Sequence, residues 1–443
     1  MKHIAIAGAG PAGAATALLL AQQGLKVTLL EQEPEFDRVF RGEGLMPSGL
    51  AALYQMGLQE TFAQIPSRQL SAWDFYVGGQ RRMRVVEPEV DGLATQIMDQ
   101  GALLKAIVEK AKALPSFEFC AGWQGVELLR DRKTDAVIGL RAKAKGKHGG
   151  QSRDILADGV IAADGRYSRL RKLAGLALTN SPAQFDVLWF KLPAPDWLEK
   201  ETPFVACLQP DRQFAFYPSW DGTVQIGWIV EKPQKQTGLS AKLSELLRSP
   251  QRSPLRSPQR SPQRSPSKAS LAELKDRDWV EEFAQAVPPK LAAHFRAHRH
   301  ALEGPIFLDV QVGCCEQWSI PGLLMIGDAA HPMAPNRAQG INMALRDAIV
   351  VANHMRQADN RNGPVPQAVF QAIQAERQPE VEAVQKMQLA EWRKVAFISQ
   401  PGLPYEGFKA IASVFGRFRF AQNIWLHEQK ELREGVAHVQ LKT

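Results

Sequence analysis

A glycine-rich turn close to the start of the chain has the spacing that binds dinucleotides. Residues 8–13 read Gly-Ala-Gly-Pro-Ala-Gly; they follow an apolar run, His3 to Ala7, and open an Ala/Leu-rich helix. The first glycine permits a tight turn, the second lets backbone amides approach a pyrophosphate at the positive helix N-terminus, and the third lets helix and strand pack closely. The residues expected to contact such a cofactor are Gly8, Gly10, Pro11, Ala12 and Gly13.

An acidic residue follows at the end of the next predicted strand. The helical run Pro11 to Gln23 is ended by Gly24, the apolar run Leu25 to Leu30 predicts a second strand, and Glu31 comes directly after it. This order predicts a βαβ unit. A carboxylate at that position can accept hydrogen bonds from a ribose diol, so strand, helix and acid together predict dinucleotide binding. They do not distinguish FAD from NAD.

Two further short motifs occur downstream in a fixed order. Asp164-Gly165 lies in the run Ala162 to Arg171, and Gly327-Asp328 follows the apolar strand Leu323 to Ile326. Together with the glycine-rich turn, these segments resemble the "DG" and "GD" segments of the class A flavoprotein monooxygenases of the para-hydroxybenzoate hydroxylase type. The resemblance covers most of residues 1–350.

The resemblance implies that FAD is the bound cofactor and NAD(P)H a transient cosubstrate. Asp328 would accept a hydrogen bond from a ribityl hydroxyl, and Asp164 would orient groups around the pyrophosphate. The sequence contains no second GxGxxG motif. This excludes the class of flavin reductases that have two dinucleotide-binding domains. It agrees with a family in which the nicotinamide nucleotide docks transiently in a cleft.

The resemblance also places residues close to the flavin ring. The turn after the GD segment precedes a helix whose amides would stabilise negative charge at the pyrimidine edge. Its implied cofactor contacts are Pro335, Gly340, Ile341 and Asn342. Arg41 matches a loop arginine of the family, and Gln100 lies where an Arg or Gln contacts the phosphate-ribityl side; both also fit ordinary exposed polar positions. Ala338 stands where glycine is common, which puts the loop geometry in question, and His331 is interpreted as structural rather than as a proton shuttle.

The order of predicted elements indicates an α/β fold. We expect a Rossmann-like FAD-binding domain interrupted by a mainly antiparallel β-sheet substrate domain, followed by a helical C-terminal region. Aromatic and β-branched runs separated by turns predict the sheet, and Gln367 to Phe397 has strong helical character. The expected division assigns residues 1–69, 99–180 and 301–350 to the FAD-binding domain, 70–98 and 181–300 to the substrate domain, and 351–443 to the helical region.

The net charge of +8 is concentrated in a low-complexity segment. Residues 248–268 contain five RSPx units and carry six cations without an acid, which leaves +2 for the rest of the chain. Proline at every fourth position removes amide donors, so we expect a disordered or polyproline-like surface insertion. An arm that binds an anionic partner is the open alternative. Arginine repeats without interleaved aromatic residues do not indicate nucleic-acid binding.

The four cysteines show neither a disulfide framework nor metal-ligand spacing, so we expect a reducing compartment and no metal site. The apolar N-terminal run contains Gly8, Gly10, Pro11 and Gly13 and leads into a second strand, so it is interpreted as structure rather than a secretory signal. No apolar run reaches the roughly 18 to 20 residues of a membrane-spanning helix. We expect a soluble cytoplasmic protein and leave peripheral membrane contact open.

The resemblance implies hydroxylation of an aromatic or other electron-rich hydrophobic small molecule. NAD(P)H would reduce FAD, and oxygen would transfer to the substrate from a flavin C4a-hydroperoxide. The runs Gln184 to Phe190 and Phe214 to Tyr217 are candidates for the pocket lining, although period-2 alternation does not say which face lines it. The alternatives are a prenyl-type flavin reductase, or an interaction protein that acts through the RSPx arm. The WxWxIP signature of flavin halogenases is absent.

Overall fold

A computed structural model describes residues 1–36, 43–145, 149–181, 185–210, 212–232, 277–358 and 363–442 of the 443-residue chain. Arg41, Gln184 and the RSPx segment 248–268 lie outside the described residues.

The strands in chain order are β1 His3–Ala7, β2 Lys26–Glu31, β3 Gly44–Leu45, β4 Ser67–Gln69, β5 Ala72–Val77, β6 Gln80–Val86, β7 Gln96–Met98, β8 Phe117–Ala121, β9 Trp123–Arg130, β10 Val137–Ala144, β11 Ser152–Leu156, β12 Gly159–Ala162, β13 Leu178–Ser181, β14 Phe185–Pro193, β15 Pro203–Gln209, β16 Arg212–Pro218, β17 Thr223–Glu231, β18 Glu303–Leu308, β19 Val312–Cys315, β20 Ser319–Ile320 and β21 Leu323–Met325.

The α-helices are α1 Pro11–Gln22, α2 Pro47–Gln55, α3 Gln59–Phe62, α4 Gln100–Lys112, α5 Arg169–Leu173, α6 Asp196–Glu201, α7 Trp279–Ala284, α8 Pro289–Ala297, α9 Gln339–Gln357, α10 Gln367–Ile398, α11 Leu403–Phe415 and α12 Arg419–Glu434.

A six-stranded sheet of order β20-β21-β12-β1-β2-β8 forms the Rossmann-like unit, and all its pairings are parallel except β20 with β21. Its central strands are almost wholly apolar because they are buried on both faces. Helix α1 begins with Pro11 in the first turn, where a missing amide costs nothing. It packs between α4 and α9. The carboxyl ends of β1, β12 and β21 therefore deliver the three motifs to the same edge of the sheet.

A seven-stranded sheet of order β18-β14-β17-β16-β15-β5-β6 forms the second unit. Its neighbours pair antiparallel except for β15 with β5, which run parallel. Helices α7 and α8 cover one face through an apolar cluster that includes Phe190, Phe214 and Phe216. The opposite face meets the loops of the Rossmann-like unit and the C-terminal helices.

The strand Glu303–Leu308 departs from the predicted division of the chain. The sequence interpretation places residues 301–350 with the flavin-binding segments, whereas β18 pairs with β14 at the edge of the seven-stranded sheet. The reason is that Phe307 and Leu308 complete apolar clusters on that sheet. The chain returns to the six-stranded sheet at Ser319–Ile320 and adds its last parallel strand at Leu323–Met325.

The C-terminal region is helical, as the sequence predicts. Helix α10 spans Gln367–Ile398, one residue beyond the predicted run. The segment after α12 returns to α9, where the Asn353 side-chain amide donates to the carbonyl of Gln440 at 2.8 Å and its oxygen accepts from the amide of Lys442 at 2.8 Å. Within the described ranges, no helix combines the length and apolar character that crossing a bilayer requires. The fold is the predicted α/β arrangement with an inserted, mainly antiparallel sheet and a helical C-terminal region.

Candidate functional site

The glycine-rich turn is shaped by close backbone contacts. Gly8 has φ +101° and its amide donates to the carbonyl of Leu30 at 2.8 Å. A Cβ atom at Gly8 would lie 2.3 Å from the Ala163 carbonyl oxygen, and one at Gly13 would lie 1.9 Å from the carbonyl oxygen of Gly8. A Cβ at Gly10 would meet nothing within 4 Å. The first and third glycines therefore serve packing, and the second leaves room for a ligand at the N-terminus of α1.

Glu31 closes this turn from the neighbouring strand. Its Oε2 accepts a hydrogen bond from the amide of Ala9 at 2.8 Å, and its Oε1 accepts one from the amide of Glu33 at 3.1 Å. The side chain remains partly exposed. The carboxylate predicted to bind a ribose thus also fixes the backbone of the glycine-rich turn.

The GD segment lies directly against the glycine-rich turn. Gly327 has φ +57°, and a Cβ atom there would lie 2.9 Å from the Cβ of Ala12. The Asp328 side chain is 30% exposed, and its Oδ2 is 3.8 Å from Nε of Arg166. Its Oδ1 lies 3.7 Å from the Cβ position of Gly340, at the start of α9. The fold therefore brings the first and third motifs together, with Asp328 open to the cleft between them.

Asp164, predicted to orient groups around the pyrophosphate, makes its hydrogen bonds within the DG segment. Its Oδ2 accepts hydrogen bonds from the amides of Arg169 at 2.8 Å and Leu170 at 3.1 Å, and its Oδ1 accepts one from the Ser168 hydroxyl at 2.5 Å. These contacts cap the N-terminus of α5. Oδ2 satisfies two amides at the start of α5 that have no partner within the helix, and Oδ1 is occupied by the Ser168 hydroxyl.

Arg171 joins the DG segment to the GD segment. Its buried guanidinium donates to the carbonyl of Ala329 at 2.7 Å and to that of Arg166 at 3.0 Å. Both acceptors belong to backbone turns that carry site residues. The sequence interpretation included Arg171 in its motif without a role, and the structure shows that it holds the two motifs in register.

A buried charge network lies behind the GD segment. Asp347 of α9 accepts hydrogen bonds from the Gly327 amide at 2.9 Å and from Nε of Arg377 at 2.8 Å, and its Oδ2 is 2.7 Å from Nε2 of His331. Arg377 also pairs with Glu380, which binds Arg346. Burial raises the pKa of Asp347, but the charges of His331 and Arg377 outweigh it and lower the pKa to about 2. His331 is thus buried and held beside the GD segment by the carboxylate of Asp347.

The turn before α9 is conformationally unusual. Arg337 and Ala338 have φ +61° and +49°, a region that L-residues rarely occupy. Asn342 is fully buried; its oxygen accepts from the Met46 amide at 2.9 Å and its amide donates to the Ala338 carbonyl at 2.6 Å. Asn342 therefore fixes this turn through its side chain. Although alanine replaces the more common glycine at position 338, the backbone there still has the left-handed conformation.

The remaining predicted contact residues occupy different positions around the cleft. Pro335 is half-buried and immediately precedes the short turn 336–338, and Ile341 is 7% exposed in the first turn of α9. Gln100 begins α4, on the other side of α1, and is 9% exposed. Pro11 and Gly340 are partly exposed at the two helix N-termini that face the cleft.

The open face of the seven-stranded sheet carries small residues at its centre. One row of residues across neighbouring strands has an aromatic residue at each end and three small residues between them. We call this row the pocket floor. It consists of Trp189, Gly227, Ala215, Ala206 and Phe75. Apart from Gly227, these residues are partly exposed although their strands are central. A Cβ atom at Gly227 would lie 3.0 Å from the Trp189 ring. The Nε1 atom of Trp189 is buried and has no hydrogen-bond partner within the described residues.

The turn before α9 meets this sheet face at both ends. Ala334 packs with Val187 in one apolar cluster, and Ala338 packs with Phe204 in another. The Arg337 guanidinium lies 4.6 Å from the ring centroid of Trp73. The pocket floor thus lies between the two contacts, opposite the turn predicted to hold the flavin ring.

A polar cluster borders the neighbouring row of this face. Oε2 of the buried Glu43 accepts a hydrogen bond from the Ser219 hydroxyl at 2.7 Å, and its Oε1 is 3.6 Å from Nζ of Lys191. Lys191 also pairs with Asp221 at 2.6 Å. Burial raises the pKa of Glu43 to about 7, although the Ser219 hydrogen bond and the Lys191 charge oppose the shift. A carboxyl that changes charge near neutral pH therefore lies between the Rossmann-like unit and the sheet.

Sequence reasoning missed Asp347, Glu43 and Ser219. Asp347 had a usable signal, because it is an acid within the long, largely buried helix α9. Glu43 follows the conspicuous Arg41-Gly42 pair, but no local pattern connects it to Ser219, which lies 176 positions away. Such contacts depend on the docking of two units.

Comparison with known protein families gives a match over most of the chain. The profile of a family described as "FAD binding domain" matches residues 1–388. The 6-methylpretetramide 4-monooxygenase of Streptomyces rimosus is 28% identical over 403 residues, which are 88% of this chain and 83% of that protein. The 6-hydroxynicotinate 3-monooxygenase of Pseudomonas fluorescens is 24% identical over 397 residues, or 86% of this chain and 90% of that protein.

Solved structures share the fold at lower sequence identity. The p-nitrophenol 4-monooxygenase PnpA from Pseudomonas putida DLL-E4 superposes with a TM-score of 0.73 at 17% identity, covering 99% of this chain and 100% of that chain. PqsL, a probable FAD-dependent monooxygenase from Pseudomonas aeruginosa, has a TM-score of 0.63 at 19% identity and covers 87% and 94%. The arrangement of both units is thus found in these structures.

Proposed function

Because the chain belongs to the FAD-binding domain family and is an FAD-dependent monooxygenase, we propose that it hydroxylates a planar aromatic molecule held between the turn before α9 and the pocket floor. FAD is the cofactor and NAD(P)H the cosubstrate. The family resemblance of the three motifs is confirmed. The reductase and interaction-protein alternatives are not favoured.

The cofactor contacts that we propose fit the shape of the cleft. The space at Gly10 would admit the pyrophosphate at the N-terminus of α1, and the partly exposed Glu31 would bind the ribose. Asp328 would accept from the ribityl chain, with the nearby Arg166 balancing its charge. The N-terminal amides of α9 would face the ring system. When bound, FAD takes electrons from NAD(P)H and activates O2.

The pocket floor is the observation that carries the substrate proposal. Ala206, Ala215 and Gly227 lie side by side across three central strands, with Trp189 and Phe75 at the ends of the row. This leaves a shallow space with ring-bearing walls, the shape that suits a flat apolar ligand. We assign the site to a small aromatic substrate on this basis.

Two polar features would orient such a substrate. The indole Nε1–H of Trp189, which has no hydrogen-bond partner among the described residues, would offer a donor to a substrate carbonyl or phenolic oxygen. The neighbouring row places Gln225 and Tyr217 beside Lys191, which is close to the buried Glu43. A substrate with an oxygen on its ring would accept a hydrogen bond from the Trp189 indole and lie beside this polar row. The surrounding apolar side chains would exclude water, which oxygen transfer requires.

The test is product formation with isotopically labelled O2. Purified enzyme is incubated with FAD, NADH or NADPH and a panel of phenols, quinols, hydroxypyridines and polyketides, and products are analysed by mass spectrometry. We expect one class to accelerate NAD(P)H oxidation and to gain one labelled oxygen atom. Flavin-bound enzyme that only makes hydrogen peroxide with every aromatic tested would contradict the proposal.

A further inference from the structure

The C-terminal helices carry more than half of the strongly exposed large apolar residues in the described part of the chain. Fifteen large apolar residues in the described chain are exposed by more than a third, and eight of them lie between residues 397 and 424. We call these eight the C-terminal patch: Phe397, Leu403, Ile411, Val414, Phe415, Phe418, Phe420 and Ile424. Such concentration differs from the scattered exposed side chains of ordinary surfaces and marks an interaction site.

Helix α11 explains how the patch arises, because it is apolar on two faces. Tyr405 and Phe408 pack on Val77 and Leu208 at the edge of the seven-stranded sheet. Leu403 is 90% exposed, and Ile411 is 59% exposed at a position two turns further along the helix. A helix that only covered a core would have polar residues on that second face.

The patch continues through the turn into α12. The rings of Phe415, Phe418 and Phe420 form a surface cluster with centroid separations of 6.0 to 6.3 Å. Ile424 follows one turn after Phe420. The other side of α12 is held to the body of the protein by Trp425, which packs on Trp73. The exposed aromatic cluster therefore adjoins a helix that is anchored to the body of the protein.

The charges around the patch are basic. Arg417 and Arg419 alternate with the three phenylalanines, are exposed, and take part in no ion pair within the part of the chain that the structure describes. The run from Phe415 to Ile424 contains no acid. The nearest acids on these helices, Glu406 and Glu428, are paired with lysines. An apolar surface with free arginines at its centre is complementary to an anionic, apolar partner.

We propose that the C-terminal patch docks the enzyme on the surface of an anionic lipid bilayer. The phenylalanines and isoleucines would enter the boundary between headgroups and acyl chains, and Arg417 and Arg419 would bind lipid phosphates. No described helix is able to span the bilayer, so the contact is peripheral. Docking of this kind is independent of the substrate proposed above.

Vesicle flotation with the full-length, FAD-loaded protein tests the proposal. Wild type is compared with Phe418→Ser/Phe420→Ser and with Arg417→Gln/Arg419→Gln, on phosphatidylcholine vesicles with and without phosphatidylglycerol. We expect wild type to float with the anionic vesicles. The arginine variant should bind about 30-fold more weakly, since each cation near the surface contributes about one kcal/mol, and the phenylalanine variant should bind more weakly on both vesicle types.

The control variant is Leu156→Ser/Leu173→Ser, which removes two exposed apolar residues outside the patch. All variants retain the basic RSPx segment, so a difference between them isolates the patch. Equal flotation of wild type and both patch variants would overturn the proposal, because any binding would then come from another part of the chain. A dimer in sedimentation experiments that the patch variants dissociate, without vesicle binding, would also overturn it, because the partner would then be a second copy. An unchanged flavin spectrum shows that each variant is folded.

Discussion

The carboxylate of Asp347 accepts a hydrogen bond from the backbone amide of Gly327 at 2.9 Å. The same oxygen lies 2.7 Å from Nε2 of His331, four residues further along the chain. An acid in the middle of α9 thereby fixes both ends of the turn that carries Asp328. The orientation of a predicted cofactor ligand is thus set by a residue that faces away from the cleft.

Asp347→Asn is expected to weaken both the fold and FAD retention. The variant leaves Arg377 buried with one fewer charge partner, and removing one partner of a buried ion pair costs about 3 to 5 kcal/mol. The check is the free energy of unfolding in denaturant together with the flavin-to-protein ratio. The control is Asp154→Asn, whose partner Arg141 is exposed, so that solvent screens the pair and its loss should hardly change stability. Equal effects of the two substitutions would contradict the role of Asp347.

Asp328→Ala is expected to reduce FAD affinity by roughly 10- to 150-fold, the cost of about 1.5 to 3 kcal/mol for a hydrogen bond to a charged group. Its side chain is only partly buried, so stability should change little. Ultrafiltration of the purified variants measures the released flavin. Asp196→Ala, an exposed acid in the first turn of α6, serves as the matched control. Similar flavin loss in both variants would show that Asp328 does not contact the cofactor.

Gly44 and Ala338 are expected to be energetically coupled. A Cβ atom at Gly44 would lie 2.9 Å from the Cβ of Ala338, so Gly44→Ala should cost about 1 to 3 kcal/mol through overpacking. Ala338→Gly relieves a positive φ of +49° and should by itself stabilise by at most about 1 kcal/mol. In the double variant most of the loss should disappear. A double-mutant cycle in denaturant measures this, and additive effects would show that the two residues do not meet.

Glu43→Gln is expected to change the pH dependence of stability. The folded-state pKa of Glu43, about 7, lies above its ordinary value of 4.5 because the carboxyl is buried. Its protonated form therefore stabilises the fold below pH 4.5, and this contribution is lost as pH rises through 7. The variant should gain stability relative to wild type over this window, by about 3 kcal/mol. Unfolding curves at several pH values check the result, and a constant difference would contradict it.

Ala215→Trp is expected to separate substrate binding from cofactor binding. The new ring would fill the space over the pocket floor, while the proposed FAD contacts are on other elements. FAD content should stay at the wild-type level, and acceleration of NAD(P)H oxidation by the aromatic substrate should be lost. Ala293→Trp, exposed on α8 at the opposite face of the sheet, should leave both properties unchanged. If the substrate still accelerates NAD(P)H oxidation by Ala215→Trp, the substrate does not bind over the pocket floor.

The sequence by itself determined those elements whose conformation depends on residues close together in the chain. The turn at Gly8 to Gly13 needs glycine for reasons of backbone geometry, and that need is visible in six consecutive residues. The strand before Gly327 and the long helix from Gln367 are likewise visible, because apolar periodicity depends only on neighbours in the chain.

Only the tertiary structure decided how the side chains are used. Asp164 and Asn342 match cofactor positions by motif, and the structure adds that each side chain accepts a hydrogen bond from a backbone amide, from Arg169 and Met46 respectively. Such contacts depend on the final geometry of the turns. Alternation in β14 is symmetric, so it could not say whether Trp189 or Phe190 lies on the open face of the sheet. Packing of α7 and α8 buries Phe190 and leaves Trp189 on the open face. Glu43 meets Ser219 only because two distant parts of the chain dock, which no periodicity encodes.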